Sequence, residues 1–303
     1  MSGQIEEFTE EQIIQALQRS GYLMEQEVAG VLQERGYYVT PNEGFVDPDT
    51  GTAREYDLHA MGAITVAETR SEYVFPVLLV ECRKSDRPLV LLTGDRILRA
   101  VLAEADFDNY YSGYPKHIYG ANGESDDSAQ SLFDFLDLSR CHHYWTCERM
   151  STQFAEIVRD GKKIVARHEM LYNDAIVPLI KALRFEAVKD DERMSAALTE
   201  EQDASNIQVY WPVVVWRGAM FQYYAAAEPP KLEQATHVNF IRRYRSETID
   251  GTFHVDIVAE EYLPDYLNMV DQEIKSIANL FRRHRAAIKR SIEIAADRKL
   301  HGG

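Results

Sequence analysis

Residues 74–83 read Val-Phe-Pro-Val-Leu-Leu-Val-Glu-Cys-Arg, strongly apolar at first and charged only towards the end. A strand with one wet face alternates apolar and polar residues, whereas a nearly continuous apolar run belongs to a strand buried on both faces. Such strands lie inside sheets that helices cover on both sides, so this segment predicts an α/β fold. It also raises a question at its end. An ionisable group that directly follows a buried run is costly to leave unpaired, so Glu81 needs a partner or a task.

The rest of the chain fits a globular protein. Its 303 residues are 45% hydrophobic and 27% charged, enough for one large domain or two smaller ones. No run approaches the roughly 20 apolar residues of a membrane helix, and the acidic start MSGQIEEFTEEQ lacks the apolar stretch of a secretory signal. Three cysteines in this length do not suggest a disulfide scaffold. A reducing, cytoplasmic setting is the expectation. The formal net charge of −16 argues against a protein that coats nucleic acid through bulk charge. It is compatible with an enzyme that meets DNA at one local basic surface. Carboxylates that hold Mg²⁺ add negative charge, which the bound ion reverses locally.

Residues 9–35 read as helix, with Thr9 as cap and Glu10, Glu11 and Gln12 in the first turn. Ile13, Ile14 and Leu17 share a face. Ser20-Gly21 breaks the run, Ser20 is a candidate cap for a second helix near Tyr22, and Gly36 fits its C-terminus. Short strands are expected at Tyr37–Thr40, 54–62 and Pro88–Leu92, and a helix over Gly94–Asp106. Residues 107–127 read as a long connection and 129–190 as mainly helical. A polar, exposed stretch follows over 190–206. Tyr210–Tyr224 and His237–Ile257 read as strands, and 262–300 as long helix.

Four features of the N-terminal third line up: Glu25 on the helix that ends at Gly36-Tyr37; Arg54-Glu55-Tyr56-Asp57 on a strand after the turn Asp47–Gly51; Val80-Glu81-Cys82-Arg83-Lys84 at the end of the apolar strand; and the order helix, strand, strand, strand, helix. Over about residues 20–105 the chain resembles the PD-(D/E)xK nuclease superfamily. That resemblance implies a restriction-endonuclease-like αβββαβ core with a mixed sheet. It implies Mg²⁺ (or Mn²⁺) held by Asp57, Glu81 and the backbone carbonyl of Cys82, with Glu25 orienting a metal-bound water. The residue types suit the chemistry. Phosphodiester hydrolysis needs a hard cation, and Mg²⁺ takes one or two carboxylates while keeping several waters.

The departure is at residue 83. Side chains alternate along a strand, so Glu81 and Arg83 share a face and Lys84 points the other way. Arg83 therefore stands where the family carries its catalytic lysine. Arginine stays charged and does not act as a base, but it can stabilise a phosphate electrostatically. Lys84 replaces the lysine only if the strand ends or bulges there.

Weaker signals are set beside this one. Cys141, His142, His143 and Cys147 offer four zinc-type ligands without CxxC spacing, and read rather as an aromatic-rich packed helix. His168-Glu169 does not continue into HExxH, and GxSxG, Walker-A and GxGxxG patterns are absent. Arg282, Arg283, Arg285, Lys289, Arg290, Arg298 and Lys299 make the last helix locally basic, and Arg242, Arg243 and Arg245 form a second basic run. Both are candidates for phosphate contact or for a solvated face.

The sequence thus predicts a nuclease-like core over 1–115, a mainly helical segment over 116–206, and additional strands with a C-terminal helix over 207–303 that stand apart or extend the same α/β unit. The expected function is metal-dependent hydrolysis of DNA, by resemblance in prokaryotic restriction or defence, with Asp57, Glu81, Arg83, Lys84 and Glu25 as catalytic residues. The alternative is a nuclease fold without turnover that binds nucleic acid or protein. DNA is the expected partner, a protein partner or homo-oligomer the alternative, and no membrane is expected.

Overall fold

The computed structural model of the chain describes residues 8–67, 72–95, 109–113, 115–120, 128–167, 171–199 and 206–301. Helices α1 (Glu10–Ser20) and α2 (Tyr22–Glu34) lead into strands β1 (Tyr38–Val46), β2 (Ala53–Met61), β3 (Ile64–Ala67), β4 (Glu72–Lys84) and β5 (Leu89–Asp95). Short strands β6 (Tyr111–Gly113), β7 (His117–Tyr119) and β8 (Ala129–Ser131) precede short helices α3 (Leu132–Leu136) and α4 (His143–Thr146). The hairpin β9 (Arg149–Asp160) and β10 (Lys163–Arg167) is followed by a π-helical turn, Tyr172–Ile176, and helix α5 (Val177–Thr199). Strands β11 (Ile207–Arg217), β12 (Met220–Tyr224), β13 (Lys231–Gln234), β14 (His237–Arg245) and β15 (Asp250–Ala259) come next. Helices α6 (Leu263–Arg283) and α7 (Arg285–His301) end the chain.

The apolar strand β4 is central, as its composition demands. On one side β2 pairs with it antiparallel, from Leu58↔Val80 to Met61↔Val77. On the other, β11 runs parallel to it in unbroken register from Ile207↔Val74 to Arg217↔Lys84. Every residue of β11 except Arg217 is buried, which is the signature of a strand covered on both faces. The large sheet continues in the order β1-β2-β4-β11-β15-β14-β9-β5-β12-β13. The path curls back on itself, because β12 is the continuation of β11 and β5 the continuation of β4. Past Lys84 and Arg217 the two chains bend together and resume as a parallel pair at Leu89↔Met220. The bend depends on Gly218, which has φ +152°; a Cβ there would lie 2.3 Å from the Ser85 carbonyl oxygen.

Helices cover both faces. On α6, Leu263, Tyr266, Leu267, Val270, Ile274, Ile277, Ala278 and Phe281 are buried at helical spacing. Trp211 Nε1 donates to Glu273 of α6 at 3.3 Å. Tyr210, the next side chain along β11 and so on the other face, donates to Asp190 of α5. The molecule is therefore a mixed α/β protein with a large mixed sheet between helices. Lys181 of α5 pins two turns at one end of it. Its ammonium lies 2.9 Å from both Asp47 and Asp49 in the β1–β2 turn, and Asp49 in turn accepts from Tyr244 and Thr248 beside the β14–β15 turn.

Several expectations are met and several are corrected. Thr9 caps α1 in a reciprocal capping box with Gln12. Ser20 does not cap α2; its hydroxyl donates back to the Leu17 carbonyl at 2.8 Å, and Gly21, at φ 88°, occupies the cap position. Ile13, Ile14 and Leu17 do share a face, but that face is exposed. The reading of 129–190 as mainly helical is corrected by β9 and β10, which fill 149–167 with a hairpin. The buried residues Met150, Phe154 and Val158 recur every fourth position, a spacing that fits a helical face and one face of a strand equally well. Gly94 and Asp95 end β5 rather than begin a helix, and the remainder of that expected helix lies outside the described residues. Within 190–206, α5 runs on to Thr199 and buries Met194. Among the described residues no helix is long and apolar enough to cross a membrane.

Candidate functional site

The β2–β4 ladder begins at Leu58↔Val80, and beyond that pair the strands part into a fork. Asp57 and Glu81 face each other across it. The fork frees the Cys82 N–H from the ladder, and it donates instead to Asp57 Oδ2 at 2.7 Å. Glu81 is 3% exposed at the end of the buried strand. Burial pushes its carboxyl up to about 9; Arg83 pulls against this, while the charge of Asp57 and a hydrogen bond to it add to the rise. Burial also raises Asp57, offset by the Cys82 N–H and by Arg83. Burial thus raises both carboxyl groups of the pair, and Arg83 opposes the rise in each.

Arg83 emerges on the same face as Glu81, as strand alternation requires. Its Nη2 lies 2.7 Å from Glu81 Oε2 and its Nη1 3.4 Å from Asp57 Oδ2. Nη1 also donates to the Cys82 carbonyl at 2.9 Å, and Nη2 donates to the Asp174 carbonyl in the π-helical turn. One guanidinium therefore holds both carboxyl groups and the carbonyl that the resemblance implies as a metal ligand. Glu25 of α2 stands half-buried in the field of the same group. Partial burial and the charge of Asp57 raise its carboxyl, and Arg83 lowers it.

Lys84 does not join them. The β4–β11 register runs through Lys84↔Arg217 without a bulge, so its exposed side chain leaves on the opposite face. The bend after it puts the basic run to use in another way. Arg83, Lys84, Ser85, Asp86 and Arg87 line a cleft of about 330 Å³, closed by Trp216, Leu171, Asp174 and Glu156. The cleft lies beside the carboxyl pair and carries charges of both signs.

The other basic runs are largely committed to internal contacts. Arg285 and Lys289 pair with buried Glu72 at 2.7 and 2.6 Å. Arg282 donates to the Thr65 carbonyl at 2.6 Å, and Arg298 lies over the Tyr119 ring. Arg243 and Arg245 share Asp250, and Arg242 lies over Tyr172. The side chain of Lys299 and the pair His168-Glu169 lie outside the described residues.

A second polar cluster lies on the opposite face of the sheet, and sequence reasoning saw only one corner of it. The register Val80↔Val213↔Asp256 puts Asp256 on the face away from Glu81. Asp256 accepts from His143 Nε2 at 2.8 Å and from the Tyr266 hydroxyl at 2.7 Å. His143 Nδ1 reaches Glu273 at 2.9 Å, and the two carboxylates push its ring up to about 10 against burial, which alone would lower it. Of the zinc-type residues, only His142 and His143 approach other ligands; among the described residues, Cys141 and Cys147 join no three-ligand cluster. The aromatic packing expected of this segment is present, with His142, Tyr144 and Trp145 in mutual ring contact. Asp256 and Glu273 carry no local motif. The one signal available was a charged residue within the otherwise apolar run Val255–Ala259, the same signal that marked Glu81. Comparison of the chain with protein-family models, with curated proteins and with solved structures gives no match.

Proposed function

We propose that the chain is a metal-dependent nuclease of DNA, with Asp57, Glu81 and the Cys82 carbonyl as the cation site. The carrying observation is that these three oxygen donors converge on one cationic group, the Arg83 guanidinium. The order of elements supports the same reading. Helix α2, strands β1, β2 and β4, helix α5 and strand β11 follow the αβββαβ succession of the PD-(D/E)xK superfamily, with β11 parallel to β4. The intervening β5–β10 region is then an insertion between the third strand and the second helix.

The donors fit Mg²⁺ or Mn²⁺, since all are hard oxygens. Two adjacent carboxyl groups that burial makes costly to ionise also have much to gain from a cation. When bound, such an ion supplies an activated water and neutralises charge on the phosphate. The chain's own residues do the rest. Glu25 orients water from α2. Arg83 releases the carboxylates and meets a phosphate oxygen from the cleft it already lines. Lys84 and Arg87 add positive charge along that cleft.

A second reading has its own observation. Arg83 satisfies four acceptors at once, and a counterion held this firmly leaves a nuclease fold that binds nucleic acid or protein without turnover. Supercoiled plasmid incubated with Mg²⁺ or Mn²⁺ separates the two. Cleavage by the native chain that falls at least ~100-fold in Asp57→Asn and in Glu81→Gln supports the first reading. Absence of cleavage in the native chain, with appearance of it in Arg83→Lys, supports the second. Cleavage that survives both carboxylate substitutions sinks the site.

A further inference from the structure

On the face of the sheet away from Glu81, α4, β14, β15 and α6 bring together two imidazoles and a carboxylate. His143 Nε2 lies 2.8 Å from Asp256 Oδ2, and His237 Nε2 lies 3.0 Å from Asp256 Oδ1. The ligand atoms of all three residues fall within 4.8 Å of one another. We propose that His143, His237 and Asp256 bind one zinc ion that ties α4 to the β14–β15 hairpin.

Three observations carry the assignment. The donor set is the first: two imidazole nitrogens and a carboxylate oxygen on three separate elements suit zinc far better than a hard alkaline-earth ion. The second is the outer layer of partners. Metal-bound histidines usually give their other ring N–H to a carboxylate, and bound carboxylates are themselves hydrogen-bonded. Here His143 Nδ1 faces both Glu273 oxygens at 2.9 and 3.0 Å. Glu273 is fixed by the His143 backbone N–H at 2.7 Å and by Trp211 Nε1 at 3.3 Å. Asp256 is fixed by Asn239 Nδ2 at 3.1 Å and by the Tyr266 hydroxyl at 2.7 Å.

Charge is the third. Asp256 is 0% exposed and Glu273 nearly buried. Two buried carboxylates this close need compensating positive charge, and a single dication held by Asp256 and the two rings, 5.4 Å apart centroid to centroid, supplies it.

His143 also belongs to a second candidate triad, with His142 and Glu273. That one is the poorer site. His142 Nδ1, the nitrogen that faces Glu273 at 3.8 Å, is already the acceptor for the Tyr144 N–H at 3.2 Å.

The test uses the full chain carrying Asp57→Asn and Glu81→Gln, so that no divalent ion at the fork contributes. Zinc content after dialysis, titration with Co²⁺ followed in the visible, and thermal unfolding with and without chelator are measured together. The expected result is one equivalent of zinc, ligand-field bands of a low-coordinate Co²⁺ ion, and a melting temperature lowered by chelator. His237, the most exposed of the three ligands, is then changed to Gln with the fold checked by circular dichroism; the equivalent and the bands should vanish. No retained zinc, no Co²⁺ bands and a melting temperature indifferent to chelator would overturn the site in favour of a proton-bridged His–carboxylate network. Metal that persists in His237→Gln would overturn it as well, by placing the ion elsewhere.

Discussion

Arg83 shows how far alternation along a strand can be taken. That Glu81 and Arg83 share a face follows from the period of two, and Asp57 opposite them follows from the hairpin-like order of β2 and β4. The hold that Arg83 has on the Asp174 carbonyl was not legible, because that contact spans 91 residues and depends on a π-helical turn. The same limit applies to Lys181. The sequence marks Asp47–Gly51 as turn chemistry, but nothing local announces that an ammonium from α5, 7% exposed, will be its counterion. Removing one partner of a buried ion pair leaves the other charge uncompensated. Lys181→Met should therefore cost about 3–5 kcal/mol, read as a lowered urea midpoint. Adding Asp49→Asn to Lys181→Met should recover part of that loss.

At the scale of elements, patterns with one solution were read correctly and patterns with two were not. The apolar strands β4 and β11 are too continuous to be amphipathic helices and too short to cross a membrane as helices. The strand β9 places its buried residues four apart, which fits either period; the signal that breaks the tie is Asp160-Gly161, the turn that folds β10 back on β9. The C-terminal stretch 262–300 was legible as helix but not its break at His284 into α6 and α7, and its basic residues look like a phosphate-binding face until β4 supplies Glu72. Glu72 is 3% exposed, and hydrogen bonds from Arg285 and Lys289 hold its carboxyl down to about 2 from the ordinary 4.5. Because the folded value is the lower one, the folded chain binds fewer protons than the unfolded chain over this range. The stabilisation is complete above about 4.5 and is lost as pH falls towards 2. Comparing native chain and Glu72→Gln by urea unfolding should give a constant stability gap from pH 5 to 7. The gap should narrow steadily below pH 4.5, and one that widens on acidification would exclude the tether.

For the whole molecule, the decisive features are long-range pairings. The sequence divides at about 115 and 206 because composition and period change there, and those changes are real. The sheet ignores them. Strand β4 lies beside β11 along eleven paired positions, β5 lies beside β12, and β9 joins β5 to β14. Composition reports what each segment can form, but the neighbour a strand selects depends on closing the whole circuit, which no local pattern encodes. A direct consequence concerns fragments. Residues 1–115 alone would keep α2, β1, β2 and β4 but would leave the β11 side of β4 unpaired along Val74–Lys84. An apolar central strand with a bare edge is an aggregation site rather than a boundary. Expressed alone, the fragment should be insoluble or lack dispersed amide resonances, even though it contains Asp57, Glu81, Cys82, Arg83 and Glu25. Co-expression with a second fragment beginning in the loop before α5 and carrying β11 should restore solubility, because β11 then supplies the missing neighbour. A soluble, cooperatively folded 1–115 would mean that the fork between β2 and β4 stands without β11.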